Sequence, residues 1–206
     1  MRKRFGLAVL AASLACASGP ASAYTTLFAF GDSLSDAGNL YKLLGVPVSP
    51  PYYEGHFSNG PTWVEDLSVK LGLGTLTPSL AGGNDFAVGG AQTGETPIEG
   101  ANPIDLPGQI GAYALLHPTP VSGALYTLDI GANDILNSLG EFGAGKISLG
   151  TVDEVVSQAE TNTVDAVDDL YGLGARNLLF YEVPNLGLTP ELESTPLQSL
   201  GSQLAL

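Results

Sequence analysis

Four short, mostly apolar runs limit what this chain can fold into: Thr25 to Phe30, Asp85 to Val88, Ala124 to Ile130 and Asn177 to Val183. Each has the length of a strand, and each is apolar on both alternating faces rather than on one. A strand hidden on both faces belongs to a parallel sheet covered by helices, so the runs predict an α/β domain rather than a sandwich. The segments between them supply the helices. Pro61 fits the first turn of a helix in which Trp63, Val64, Leu67 and Leu71 share a face, ending before Gly72. Thr151 and Glu154 have the spacing of a capping box, and Val155, Ala159, Val167 and Leu170 carry an amphipathic pattern on to Gly172 and Gly174. That helix would cross over between the last two strands, as parallel pairing requires. Segments 45–60 and 92–122, rich in Gly, Pro and Thr, read as loops, and loops of such length are usually functional.

The first 23 residues are set apart from this pattern. Arg2, Lys3 and Arg4 precede an apolar stretch, Phe5 to Ala17, which runs into Ala21-Ser22-Ala23. This is the layout of a secretory signal peptide, and the stretch is shorter than a membrane-spanning helix needs. The expectation is an exported domain over residues 24–206, secreted or periplasmic, with the cell surface as a further location. Cys16, the only cysteine, falls within the signal; a lipidated Cys16 is the alternative, but Leu14 stands one place too late for a good lipidation site. Cleavage would leave about 183 residues with no thiol, enough for one domain held by its core alone. Against 21 acidic residues stand 7 basic ones, three of them in the signal. So acidic a surface argues against nucleic acid and anionic membranes as partners.

In open parallel sheets chemistry collects at the C-terminal ends of the strands. Gly31, Asp32 and Ser33 follow the first run, Gly89 and Gly90 the second, and Gly131, Ala132, Asn133 and Asp134 the third. A Ser at a helix start has a free N–H beside it in a positive field, a Gly lets a second N–H approach, and an Asn offers a side-chain amide. Three such donors around one hydroxyl make an oxyanion hole. Taken singly the same residues have plainer readings: Ser33 a helix cap, Gly89 and Gly90 turn residues, Asn133 and Asp134 a cap or Asx-turn. Their recurrence at three successive strand ends favours chemistry.

The stretch Phe30-Gly31-Asp32-Ser33-Leu34-Ser35-Asp36-Ala37-Gly38-Asn39 resembles the first block of the GDSL esterases and lipases, also called SGNH hydrolases. Asp85-Phe86-Ala87-Val88-Gly89-Gly90-Ala91 is similar to the second block, with Asp85 where that family usually has Asn, and Gly131-Ala132-Asn133-Asp134 is similar to the third. Two lesser segments, Phe57 to Trp63 and Pro184 to Pro190, look like parts of the secreted branch. The resemblance implies a flavodoxin-like three-layer α/β/α fold with about five parallel strands, Ser33 as nucleophile, and the Ser33 N–H, Gly90 and Asn133 as oxyanion donors. Gly89 replaces Gly90 if Asn84 is aligned as the Asn of the second block. It implies an ester substrate, lipid or small molecule, and no cofactor or metal.

A serine hydroxyl needs a base, and the base an orienting partner. In the family both come from a late Asp-x-x-His block after a further strand, and no such block occurs here. His117-Pro118-Thr119 imitates it superficially, but Ala114 stands where the Asp would be, so a solvated loop histidine is expected. His56 reads as a rim or structural residue. The expectation is therefore a C-terminally incomplete domain, its last strand and helix missing and a sheet edge exposed. Three functions compete: an exported ester hydrolase whose base lies elsewhere; an inactive remnant, or a lipid- or carbohydrate-binding module; and the passenger of an autotransporter. Phospholipid, simple ester and acetylated sugar all remain open as substrates.

Overall fold

A computed structural model describes residues 23–204. The signal-peptide stretch, with Cys16, lies but for Ala23 outside these residues. Three parallel strands form the sheet, β1 (Thr26–Gly31), β2 (Ala124–Asp129) and β3 (Asn177–Tyr181), in that spatial order. Gly31 pairs with Asp129 and Asp129 with Tyr181, so all three strands end at one edge. Six helices are described: α1 (Asn39–Leu44), α2 (Trp63–Lys70), α3 (Leu106–Leu116), α4 (Ala132–Gly143), α5 (Leu149–Gly172) and α6 (Gln198–Leu204).

Alternation along β1 divides the core. Phe28 and Phe30 turn to one face, where Phe86, Leu106, Ile110 and Tyr113 meet Tyr126, Leu128 and Leu170 in a dry cluster. Leu27 and Ala29 turn to the other, against Val64, Leu76 and Leu125, with Trp63, Leu67 and Leu71 of α2 packed alongside. The sheet is thus sandwiched between α2 and the pair α3 and α5, the three-layer α/β/α arrangement expected. Ile135 and Leu139 of α4 join Val152 of α5 and Leu186 and Leu192 in a satellite cluster that also packs Leu200 and Leu204 of α6.

Several expectations need correction. The run 85–88 is not a full strand. It lies beside β1 through the hydrogen bonds Ala29 N–H to Asn84 O, Phe86 N–H to Ala29 O and Val88 N–H to Gly31 O, but only the Ala29–Asp85 bridge results. The ladder stops because the Gly31 N–H, which would continue it, donates to Gln109 Oε1 at 2.9 Å. That glutamine belongs to α3, a helix inside the segment read as the loop 92–122. In α2, Thr62 is the N-cap and Pro61 precedes it; a capping box with Glu65 closes the turn. In α5 the cap is Ser148, whose Oγ accepts from the Thr151 N–H at 3.1 Å, one turn earlier than the Thr151–Glu154 pattern suggests. Crossing from β2 to β3 takes two helices, α4 and α5.

Beyond β3 no strand is described, and Leu179, Phe180 and Tyr181 are 40%, 46% and 47% exposed, too much for an interior strand. A groove of about 520 Å³ on one face of β3 is lined by Ile130, Ile135, Val156, Val164, Phe180 and Val183 among others. No described helix is long and apolar enough to cross a membrane.

Candidate active site

Ser33 follows β1 directly, but not at a helix start. The chain makes a single turn there, with Ser35 N–H at 3.2 Å and Asp36 N–H at 3.0 Å from Asp32 O, and α1 begins only at Asn39. The macrodipole argument therefore does not apply to Ser33; the local turn, with Asp32 Oδ1 accepting from the Leu34 N–H at 3.0 Å, sets its direction. The half-buried Ser33 has no partner among the described residues for either its N–H or its hydroxyl. What precedes it is rigid. Gly31 has φ +150°, and a Cβ there would lie 2.2 Å from Asp129 O, so only glycine fits. The Gln109 amide clasps the same residue through the peptides on both sides of it, accepting from Gly31 N–H at 2.9 Å and donating to Gly31 O at 2.8 Å, and donates to Ile104 O at 2.9 Å.

The second loop runs alongside. Val88 N–H reaches Gly31 O at 3.1 Å, which brings Gly89 and Gly90 next to the end of β1. From 89 to 93 the peptide N–H groups are almost all engaged: Gly89 to Asp36 Oδ2 at 2.8 Å, Ala91 to Val88 O at 3.1 Å, Gln92 to Asp105 Oδ1 at 3.0 Å and Thr93 to Asp134 Oδ2 at 3.1 Å. Gly90, exposed and held at φ +83°, has the N–H without a partner among the described residues. Of the two glycines left open by the sequence, Gly90 can donate to a ligand and Gly89 cannot without giving up Asp36.

The third loop leaves β2, the neighbour of β1, through Gly131 at φ +110° into α4. Asn133 stands in the first turn of that helix. Its Nδ2 donates one hydrogen to Ala91 O at 2.8 Å, which fixes the amide beside Gly90 and leaves its second hydrogen available. Asp134 is fully buried and receives Thr93 through both N–H and Oγ1 (2.7 Å to Oδ1); Asn162 Nδ2 donates to the Thr93 hydroxyl at 3.2 Å. The three loops named from sequence thus meet at one sheet edge, cross-linked by side chains.

Under them lies a bed of acid. Burial lifts Asp32, 1% exposed, to about 7, despite the Leu34 N–H that favours its anion, with Asp129 and Asp134 adding repulsion. Asp134 is raised to about 6, again mainly by burial and against the bonds from Thr93. Asp129 is raised by burial too, opposed by hydrogen bonds from Trp63 Nε1 (3.1 Å) and Ser35 Oγ (3.4 Å). Asp85, at the position of the family's usual Asn, is wholly buried and pushed well up by desolvation. It accepts from the Ala37 N–H at 2.6 Å and the Ala87 N–H at 3.0 Å, binding the first block to the second.

Neither histidine bonds to Ser33. His56 is 7% exposed; its Nδ1 lies 2.9 Å from Tyr53 O and its Nε2 3.1 Å from Glu65 Oε2, so it ties the 45–60 loop to the cap of α2. His117 is not a solvated loop residue: it ends α3 and its ring packs on Phe28, Tyr113 and Phe86, at 4.7, 5.0 and 6.4 Å between centroids, with its basicity lowered by burial. Gln109 holds the end of β1, and His117 lies about 12 Å further along α3, towards the start of the strand. Missing from the sequence reading were Gln109, Asp36 and Asp105. Only the buried spacing of α3 could have signalled the first, and nothing local the others.

Residues 27–205 match the family model described as GDSL-like lipase/acylhydrolase. Among relatives, a phosphatidylcholine-sterol acyltransferase of Aeromonas hydrophila is 29% identical over 89% of this chain and 51% of its own length. Esterase EstA of Pseudomonas aeruginosa is 34% identical over 96% of this chain and 34% of its own, and a GDSL esterase/lipase of Arabidopsis thaliana 26% over 91% and 62%. The chain spans about a third to three fifths of the length of these relatives.

Proposed function

Because the chain belongs to the GDSL-like lipase/acylhydrolase family, we propose that it carries the nucleophile and oxyanion site of an exported ester hydrolase acting on acyl esters of lipids or small alcohols. Ser33 Oγ attacks the ester carbonyl carbon and gives its proton to a base. The carbonyl oxygen, now negative, is received by the N–H groups of Ser33 and Gly90 and by Asn133 Nδ2–H. Collapse expels the alcohol, which takes up a proton, and leaves the acyl group on Ser33; water then releases the acid. The observation that carries this reading is the pair of unengaged groups at Ser33 beside the single unengaged N–H of the 89–93 loop. Both residues are open to solvent, Ser33 in part and Gly90 more fully, so a bound ester can reach groups that the scaffold leaves unused. Losing one such donor typically costs about 100- to 1000-fold in rate.

Ser33 makes no bond to His56, which lies beside Glu65, or to His117, which packs on Phe28, so we take the base to be another group. That observation also favours a second reading, a lipid- or ester-binding module that retains the oxyanion frame. Labelling with a fluorophosphonate, with and without added imidazole as a diffusible base, separates the two. The hydrolase reading expects a phosphonyl adduct on Ser33, formed faster with imidazole. A folded protein that gives no adduct at Ser33 even with imidazole refutes it. Export, inferred from Arg2 to Arg4 and the apolar run that follows, predicts a mature N-terminus at Tyr24 when the full chain is secreted.

A further inference from the structure

We propose that Asp36 is the positioning residue of the oxyanion site, a buried acid that holds the Val88–Gly89 peptide and so sets the turn in which the Gly90 N–H faces the reacting carbonyl. The proposal rests on the hydrolase reading of Ser33 and Gly90. Asp36 is fully buried and receives four N–H groups. Oδ1 accepts from Gly38 at 2.7 Å and Asn39 at 2.5 Å, and Oδ2 from Leu40 at 3.0 Å and Gly89 at 2.8 Å. Three of these bonds cap the first turn of α1. The fourth crosses 53 residues of sequence to the loop that carries Gly90. Gly90 is strongly bent, at φ +83°, and lies between two fixed points: Gly89 on Asp36, and Ala91, whose carbonyl accepts from Asn133. Asp36 holds the Val88–Gly89 peptide, Asn133 holds the Ala91–Gln92 peptide, and the Ala91 N–H bonds back to Val88 O at 3.1 Å, which closes the turn that carries the Gly90 N–H. Asp36 and Asn133 thus brace the same glycine from opposite sides, one through the N–H of the residue before it and one through the carbonyl of the residue after.

An amide at position 36 cannot replace this grip. Four donors converge on two oxygens, and an Asn would turn its own NH2 towards one pair of them. Asp36→Asn therefore frees either Gly38 and Asn39 or Leu40 and Gly89. Two measurements on the intact protein decide the matter: amide exchange at residues 89–93 by NMR, and fluorophosphonate labelling of Ser33 in imidazole, resolved into KI and kinact. In the wild type, Gly89 should exchange slowly and Gly90 fast, with Gly90 slowing once Ser33 is phosphonylated. In Asp36→Asn, Gly89 should exchange at least about 10-fold faster while Gln92 and Thr93 keep their protection. The labelling kinact should fall about 10- to 100-fold with KI unchanged, the signature of a displaced donor. A folded variant with Gly89 freed and kinact within twofold of wild type overturns the proposal. So does a fall in kinact with Gly89 still protected, because the α1 cap would then carry the effect. If the variant does not fold, the wild-type exchange contrast decides, and a Gly89 amide that exchanges as freely as Gly90 overturns it. Wild-type protein that never labels refutes the hydrolase reading, whereas the exchange contrast still tests the Asp36 grip.

Discussion

Replacing Gln109 by Leu removes the clasp on the last residue of β1 with little change in volume. Gln109 is 3% exposed and makes three hydrogen bonds, so the cost can be counted. Gly31 N–H loses its partner in a dry setting, at about 1–3 kcal/mol. Gly31 O keeps Val88 N–H, and Ile104, half-buried, is within reach of water, so each of those losses is about 1 kcal/mol or less. The expected destabilisation is about 2–4 kcal/mol, a large share of the roughly 5–15 kcal/mol that holds a domain. In urea the midpoint should fall by about 1–2 M. A loss under about 1 kcal/mol would refute the reasoning. It would mean that the freed Gly31 N–H turns to the Phe86 carbonyl, lengthens the ladder of 85–88 beside β1, and never depended on the glutamine.

The two adjacent glycines should fail differently when changed to Ala. At Gly90 a Cβ meets nothing within 4 Å but the positive φ is strained, so a loss of about 1–2 kcal/mol with labelling retained is expected from melting and adduct formation. At Gly89 a Cβ would lie 2.4 Å from the Phe57 ring, an overpacking of about 1–3 kcal/mol that Phe57→Ala should partly relieve in a double-mutant cycle. The acid bed predicts a pH profile. Asp32, raised to about 7 in the fold, binds a proton there that the unfolded chain has released, so stability falls as pH rises from about 4 to 7 and levels off above. Asp32→Asn, whose side-chain oxygen can still accept from Leu34 N–H, should flatten that slope and raise the melting temperature at pH 8 relative to wild type. A variant no more stable at pH 8 counts against a costly Asp32 anion.

The strand ends carrying Ser33, Gly90 and Asn133 were legible because apolar runs and the small residues after them are local signals. Even the choice between Gly89 and Gly90 narrowed only with geometry, since it turns on which N–H a distant carboxylate already holds. Asp36 to Gly89 and Gln109 to Gly31 span 53 and 78 residues, and no periodicity encodes such a bond. The helix α3 was missed because Gly, Pro and Thr around it suggested a loop, whereas tertiary burial of Leu106, Ile110 and Tyr113 stabilises it. Ser33 was read as a helix start for the opposite reason: Asp-Ser followed by Leu is a capping pattern, yet Asp36, not Ser33, receives the first N–H groups of α1.

All the loops that bear the proposed nucleophile and donors issue from β1, from the segment beside it and from β2; none issues from β3. The exposed flank nevertheless touches that frame: its groove is also lined by Thr93 and Gly131, and Tyr181 packs on Trp63, whose Nε1 donates to Ser35. A change at Tyr181 should therefore be felt at the first block, through the Trp63 ring that it packs on.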